Sequence, residues 1–182
     1  MARNDQEDAL EKMLAAQLAR TLDFVKFAEA KNGAILVLSS GWILASVNLL
    51  SGEHKLAHSY DKALWISVPL FVLAGLLSIF SFLPRMLRNF IKPKDGTKNL
   101  LFFGDIAELP IAQFKERVFE RYRPEADHSV TDRYLDDLCV QISVNAKIAS
   151  RKFKLFNAAV ACVVLAIISL LIPALWYLSR QF

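Results

Sequence analysis

Few residues of this chain are placed to do chemistry. Asn145 and Lys152 interrupt an otherwise apolar series: Leu135, Leu138, Ile142, Asn145, Ala149, Lys152 and Phe156 recur at alternating three- and four-residue steps. A polar residue in such a heptad seam fixes register and oligomer state at a cost in stability, or it lines a ligand pocket. Phe102-Phe103-Gly104-Asp105 sets aromatic rings beside a glycine. That is either a tight turn with its hydrophobic flank in a core, or a point where a ligand approaches the backbone. Basic residues crowd two further stretches. Arg85, Arg88, Lys92, Lys94 and Lys98 have only Asp95 against them, and Lys147, Arg151, Lys152 and Lys154 have no acid among them. Such clusters fix membrane topology, meet lipid headgroups or hold an anion.

No catalytic constellation accompanies them. The chain lacks a Gly-rich phosphate loop, a His-Glu-x-x-His helix and a nucleophile elbow. His54 and His58 stand one helical turn apart, but two histidines without a third ligand read as a solvated loop, and no metal is expected. Glu116 and Glu120, among basic neighbours, read as a solvated helix face. Cys139 and Cys162 form no disulfide framework. The expectation is a protein that is not an enzyme and has no cofactor. A proton or ion carrier is disfavoured too, because its apolar runs carry no ionisable residue.

The elements that must position these residues are set by hydropathy. The chain has 182 residues, 54% of them hydrophobic, with a mean hydropathy of +0.32. Leu155–Ser179, Gly33–Ser51 and Ala63–Pro84 are uncharged and meet the ~20 residues needed to cross ~30 Å of hydrocarbon. Backbone amides in lipid must be satisfied internally, so these runs are expected to be helices. The predicted class is an all-α membrane protein with three transmembrane helices and cytosolic helical extensions. Its parts are a cytosolic amphipathic helix (1–31), a first span (33–51), an outer loop (52–62), a second span (63–84), a cytosolic module (85–154) and a third span (155–179). The module includes a stalk helix over 131–154. Its seam continues as Ala159, Val163, Ala166 and Leu170, which predicts one helix running from stalk into span.

Within the first part, Leu10, Leu14, Leu18, Leu22 and Val25 share a face, and no cleavable signal peptide is visible. Pro110 opens an amphipathic helix with Ile111, Phe114, Val118 and Phe119 expected inward. Ala158, Cys162, Ala166 and Ser169 form a small-residue stripe for close helix approach, either within one chain or between subunits. The basic clusters, with Lys26 and Lys31, belong on the cytoplasmic side. That puts the N-terminus inside, the C-terminus outside, and Trp65 and Trp176–Tyr177 at the outer interface.

Three segments carry a resemblance: AEAKNGAILVLSSGWIL, NLLFFGDIAELPIAQFKERV and DDLCVQISVNAKIASRKFKLFNAA. In content and order they resemble the transmembrane effector family of Pycsar anti-phage systems, over about Leu22 to Ala159, with FFGDIA and QISVNAKIASRKF the most specific parts. Glu29-Ala30-Lys31 stands as a conservative departure before the first span. The resemblance implies a multi-pass effector in the bacterial inner (cytoplasmic) membrane. A partner cyclase would make cyclic CMP or cyclic UMP on infection, and the effector would then impair membrane integrity, giving abortive infection. The partners implied are the lipid bilayer, that nucleotide and further copies of the chain as a homo-oligomer, with no nucleic acid. For such a ligand, Lys31, Phe103, Gly104, Asp105, Gln141, Asn145, Lys147, Arg151 and Lys152 supply phosphate donors, an aromatic face and amides for the base edge. The alternative is a non-enzymatic membrane adaptor or scaffold whose cytosolic helices dock a partner protein.

Overall fold

The computed structural model of the protein describes residues 3–52, 58–83, 99–125 and 128–179. Its elements are five helices, α1 (Arg3–Ser51), α2 (His58–Phe82), α3 (Phe103–Ile106), α4 (Ile111–Tyr122) and α5 (Asp132–Ser179), with no strand among the described residues. Helices α1, α2 and α5 are long and apolar enough to cross a membrane. The 49-residue α1 and 48-residue α5 are continuous. At a rise of ~1.5 Å per residue each is about 70 Å long, more than twice the ~30 Å hydrocarbon core. Both must therefore carry long segments outside lipid. Tyr134 N–H donates to the Thr131 hydroxyl at 3.2 Å, capping α5 where its sequence placed a start.

The chain divides into two units, one of Met1–Val25 with Arg85–Ala149, the other of Lys26–Pro84 with Ser150–Phe182. Lys26–Lys31 and Ser150–Lys154 thus belong with the spans, for a local reason. Phe27 and Phe153 pack with ring centroids 6.2 Å apart, and the Lys31 ammonium lies 4.6 Å from the Phe27 ring and 5.1 Å from Phe156.

In the span unit, α2 packs antiparallel to both long helices. A Cβ built on Gly33 would stand 4.0 Å from Phe82, one on Gly75 would stand 3.9 Å from Ser39, and Trp42 stacks on Phe71 at 5.7 Å. The core joins Phe71 and Ala74 to Ala159, Val163 and Ala166, with Ile35, Ile43, Leu70, Leu77, Cys162 and Leu170 around it. Apolar burial gives little drive between helices in lipid, so the close approach that Ala74, Gly75, Ala159 and Ala166 allow is what gains contact. Val37 (74% exposed), Leu44 (64%), Trp65 and Trp176 point outward, as lipid-facing and interfacial side chains should. In the small-residue stripe, Cys162 and Ala166 pack at the core, but Ala158 is exposed and Ala159 takes the inward place. One residue is about 100° of helix rotation, and the heptad seam rather than the stripe sets it. Ser169, half-buried, returns its hydroxyl to its own Ala166 carbonyl at 2.7 Å.

The other unit is smaller in apolar content. Leu100, Leu138 and Ala149 are buried beside Thr21, Asn99, Arg121, Asp137 and Gln141. On α1, Leu14, Leu18 and Val25 are half-buried while Leu10 and Leu22 are exposed. Helix α4 is rotated from its expected face. Phe114 and Val118 are half-buried, but Ile111 (87% exposed) and Phe119 (59%) point out, and Arg121 points in. The reason is a charge pair described next.

Candidate functional site

Two polar clusters stand out, one in each unit. In the first, Asp137 of α5 has no exposed surface, and the side chain of Arg121 is only 9% exposed. Arg121 donates to both carboxylate oxygens, Nε to Oδ2 at 2.8 Å and Nη2 to Oδ1 at 3.0 Å. This two-pronged geometry is what a guanidinium offers a carboxylate, and it turns α4 so that an arginine replaces Phe119 on the inner face. The Tyr122 hydroxyl also donates to Asp137, and Tyr122 packs edge-on to Tyr134 with centroids 5.5 Å apart. Burial, then the neighbouring carboxylate, pushes the Tyr122 phenol well above its ordinary range, so it remains a donor.

Asn99 ties this pair to α3. Its Nδ2 donates to the Asp137 carbonyl at 3.2 Å, its Oδ1 accepts from Leu101 N–H at 2.8 Å, and its own N–H donates to Asp105 Oδ2 at 3.0 Å. Asp105 is thereby engaged in holding the turn. Gly104 is a point of close approach: a Cβ there would lie 2.7 Å from Cε1 of the Phe102 ring, which would have to move aside. Only the backbone of Phe103, at the start of α3, is described. On α5, Gln141 is buried, Asn145 donates to the Gln141 carbonyl at 2.8 Å, and Lys147 is exposed. Asp137, Gln141 and Asn145, at four-residue steps, make a polar stripe on the inner side of the stalk. At the start of the same unit, Glu7 accepts from Ser129 N–H at 3.2 Å and meets His128 Nδ1 at 2.8 Å.

The second cluster lies in the span unit. Lys152 Nζ donates to the Ser81 carbonyl at 2.8 Å and pairs with Glu29 at 3.0 Å. Arg151 Nη2 reaches the Phe80 carbonyl at 3.5 Å. The last carbonyls of a helix lack intrahelical partners and carry partial negative charge, so these two cations of α5 complete the end of α2. Asn32, fully buried, donates to the Ala28 and Lys152 carbonyls at 2.8 and 3.2 Å.

The residues proposed for a ligand therefore divide between units. Gly104, Asp105, Gln141, Asn145 and Lys147, with the backbone of Phe103, stand in one, and Lys31, Arg151 and Lys152 in the other. His54 and the cations Arg85, Arg88, Lys92, Lys94 and Lys98 lie outside the described residues. Sequence reasoning missed Asn99, Arg121, Tyr122 and Asp137. The available signal was the four-residue step from Asp137 to Gln141 to Asn145, which puts an acid on the buried face of the stalk.

An apolar bundle joined by unbroken helices to a charged helical unit defines a small multi-pass all-α membrane protein. A family model, the Pycsar effector protein domain, matches residues 13–179. Over 167 residues the chain is 36% identical to the Pycsar effector protein RsPycTM of a Rhizobium species, covering 92% of this chain and 95% of that protein. The chain belongs to the Pycsar effector family, and an anti-phage effector role goes with that membership. No solved structure matches it.

Proposed function

We propose that this protein senses a cyclic pyrimidine mononucleotide, cyclic CMP or cyclic UMP, made by a partner cyclase, and answers by impairing the bacterial inner membrane. Membership of the Pycsar effector family over residues 13–179 is the observation that carries this reading. The fold supports it: α1 and α5 are each one unbroken helix that contributes residues to both units. In this reading the charged unit is cytosolic, the N-terminus lies inside and the C-terminus in the periplasm, and the chain works as a homo-oligomer.

For the ligand, Asn145 and Gln141 are proposed to supply amides for the base edge, Lys147 a cation for the phosphate, and the Phe103-Gly104-Asp105 segment the remaining contacts. A phosphate contact by Lys31, Arg151 or Lys152 is a separate proposal on the span unit, and for the last two it means releasing the α2 carbonyls they now hold. A ligand shifts such an equilibrium only by its differential affinity for the two arrangements. The adaptor reading keeps one observation in its favour, the outward Ile111 and Phe119 of α4, an apolar pair open to a partner protein.

The test is a thermal-shift series on the full chain in detergent with cyclic CMP, cyclic UMP and cyclic AMP. A pyrimidine nucleotide at a hundred times its Kd should add about 2.7 kcal/mol. Asn145→Ala and Lys147→Ala should lose most of the shift. Equal shifts from all three nucleotides, or none, would reject the sensing role.

A further inference from the structure

The spans hold a file of polar atoms without partners. Among the described residues, the hydroxyls of Ser39, Ser46, Ser78 and Ser81 and the Oδ1 of Asn32 are buried with no hydrogen bond, and each of these side chains is at least nine-tenths buried. This is not the default for serine in a helix. Ser40, Ser67, Ser169 and Ser179 all return their hydroxyls to a carbonyl three or four residues back.

The orphans are ordered in space. Asn32, Ser39 and Ser46 follow one another on α1 at seven-residue steps, about 10 Å apart along one side of the helix. The antiparallel register set by Gly33 with Phe82, Ser39 with Gly75 and Trp42 with Phe71 matches them to α2. It places Ser81 at the level of Asn32, Gly75 and Ser78 about the level of Ser39, and Ser67 at the level of Ser46. Buried polar residues thus recur at matching levels of both helices over about 20 Å, most of the hydrocarbon thickness, with Asn32 also reaching α5 through the Lys152 carbonyl. The lipid-facing sides of the same helices carry Val37, Leu44, Ile66, Leu76 and Ile79 instead. Buried polar atoms without a protein partner oppose closure of the seam, and water is a partner that can reach them when it opens.

We propose that the seam between α1 and α2, lined by Asn32, Ser39, Ser46, Ser78 and Ser81, is the route that fills with water when this effector is triggered. In the packed arrangement the two helices approach closely at Gly75, where an added Cβ would stand at ordinary contact distance, 3.8 Å from Leu36 and 3.9 Å from Ser39. Separation of α1 from α2 hydrates the file and gives small solutes a path. The inference rests on the membrane-impairing function proposed above and names the surface that carries it.

The test uses the full chain in proteoliposomes with Cys139 and Cys162 replaced by serine and alanine, and single cysteines at Ser39→Cys, Ser46→Cys or Ser78→Cys. Val37→Cys and Leu44→Cys serve as lipid-facing controls. A charged, membrane-impermeant methanethiosulfonate is applied with and without cyclic CMP or cyclic UMP, while dye leakage is followed in the same vesicles. Modification at the three seam positions should rise at least tenfold with nucleotide, and the controls should stay inert. Ser39→Ala and Ser46→Ala together should slow leakage several-fold with helical content unchanged, since alanine favours a dry seam. Leakage with unmodified seam cysteines, or undiminished leakage from the alanine pair, would overturn the route and leave the triggered function standing. Seam modification without leakage would also overturn it. Neither modification nor leakage would remove route and function together, whereas both in the absence of nucleotide would keep the route and remove its control.

Discussion

Replacing Asp137 by alanine removes from the interior the carboxylate that Arg121 and Tyr122 share. Arg121 loses two charge-assisted bonds of 2.8 and 3.0 Å and Tyr122 loses its acceptor, while the Asn99 bond survives because it goes to the main-chain carbonyl. Were this a surface pair, the loss would be ~1 kcal/mol or less. Asp137 is fully buried, so removing its half of a buried ion pair should cost about 3–5 kcal/mol. That is a large part of the ~5–15 kcal/mol that holds an ordinary domain together. For a unit of this size it corresponds to roughly 4–8 °C per kcal/mol, so the first unfolding transition in detergent should fall by at least ~12 °C. Hydrogen exchange should show α4 and the Asn99–Leu109 segment losing protection first. The double variant Arg121→Met with Asp137→Leu should recover most of the loss, because it removes both charges from the interior. A fall of only a degree or two for Asp137→Ala, or a double variant as damaged as the single, would refute the claim that this pair sets the rotation of α4.

Other substitutions have definite expectations. Gly104→Ala forces the Phe102 ring aside from a 2.7 Å approach and should cost ~1–3 kcal/mol by denaturant titration in detergent, whereas Ala107→Gly on the exposed side of the same turn should cost under ~1 kcal/mol. Lys152→Met strips the Ser81 carbonyl and Glu29 of their partner and should raise exchange of the last turn of α2, with Glu29→Gln giving a smaller effect of the same kind. Ser169→Ala should be neutral within ~0.5 kcal/mol, since that hydroxyl serves only its own helix. Reporter tags at the two ends should map to opposite sides of the membrane.

The spans were legible because an uncharged run in lipid has few backbone solutions, and the α5 seam because apolar residues at heptad steps point one way whatever they meet. Leu138, Ala149, Ala159, Val163 and Ala166 of that seam are all buried. The rotation of α4 was not legible. Its apolar pattern favours Ile111 and Phe119 inward, and only a pairing with an acid sixteen residues away makes Arg121 the better choice. The same limit applies to Arg151 and Lys152. As letters they are anion donors near a membrane, and nothing local shows that they end on carbonyls seventy-one residues distant. Asn99 fell outside every pattern because its role, a clasp between a turn and a helix, has no periodicity. Gly104 is a place of close approach, as its aromatic neighbours suggest, with the approaching group supplied by Phe102 of the chain itself.

The most direct measurement is leakage of an encapsulated dye from liposomes carrying the purified full-length protein, read before and after adding cyclic CMP or cyclic UMP. The account predicts intact vesicles without nucleotide and rapid release with one of the two, but not with cyclic AMP. Release that ignores the nucleotide, or vesicles that stay sealed with every one, would contradict it.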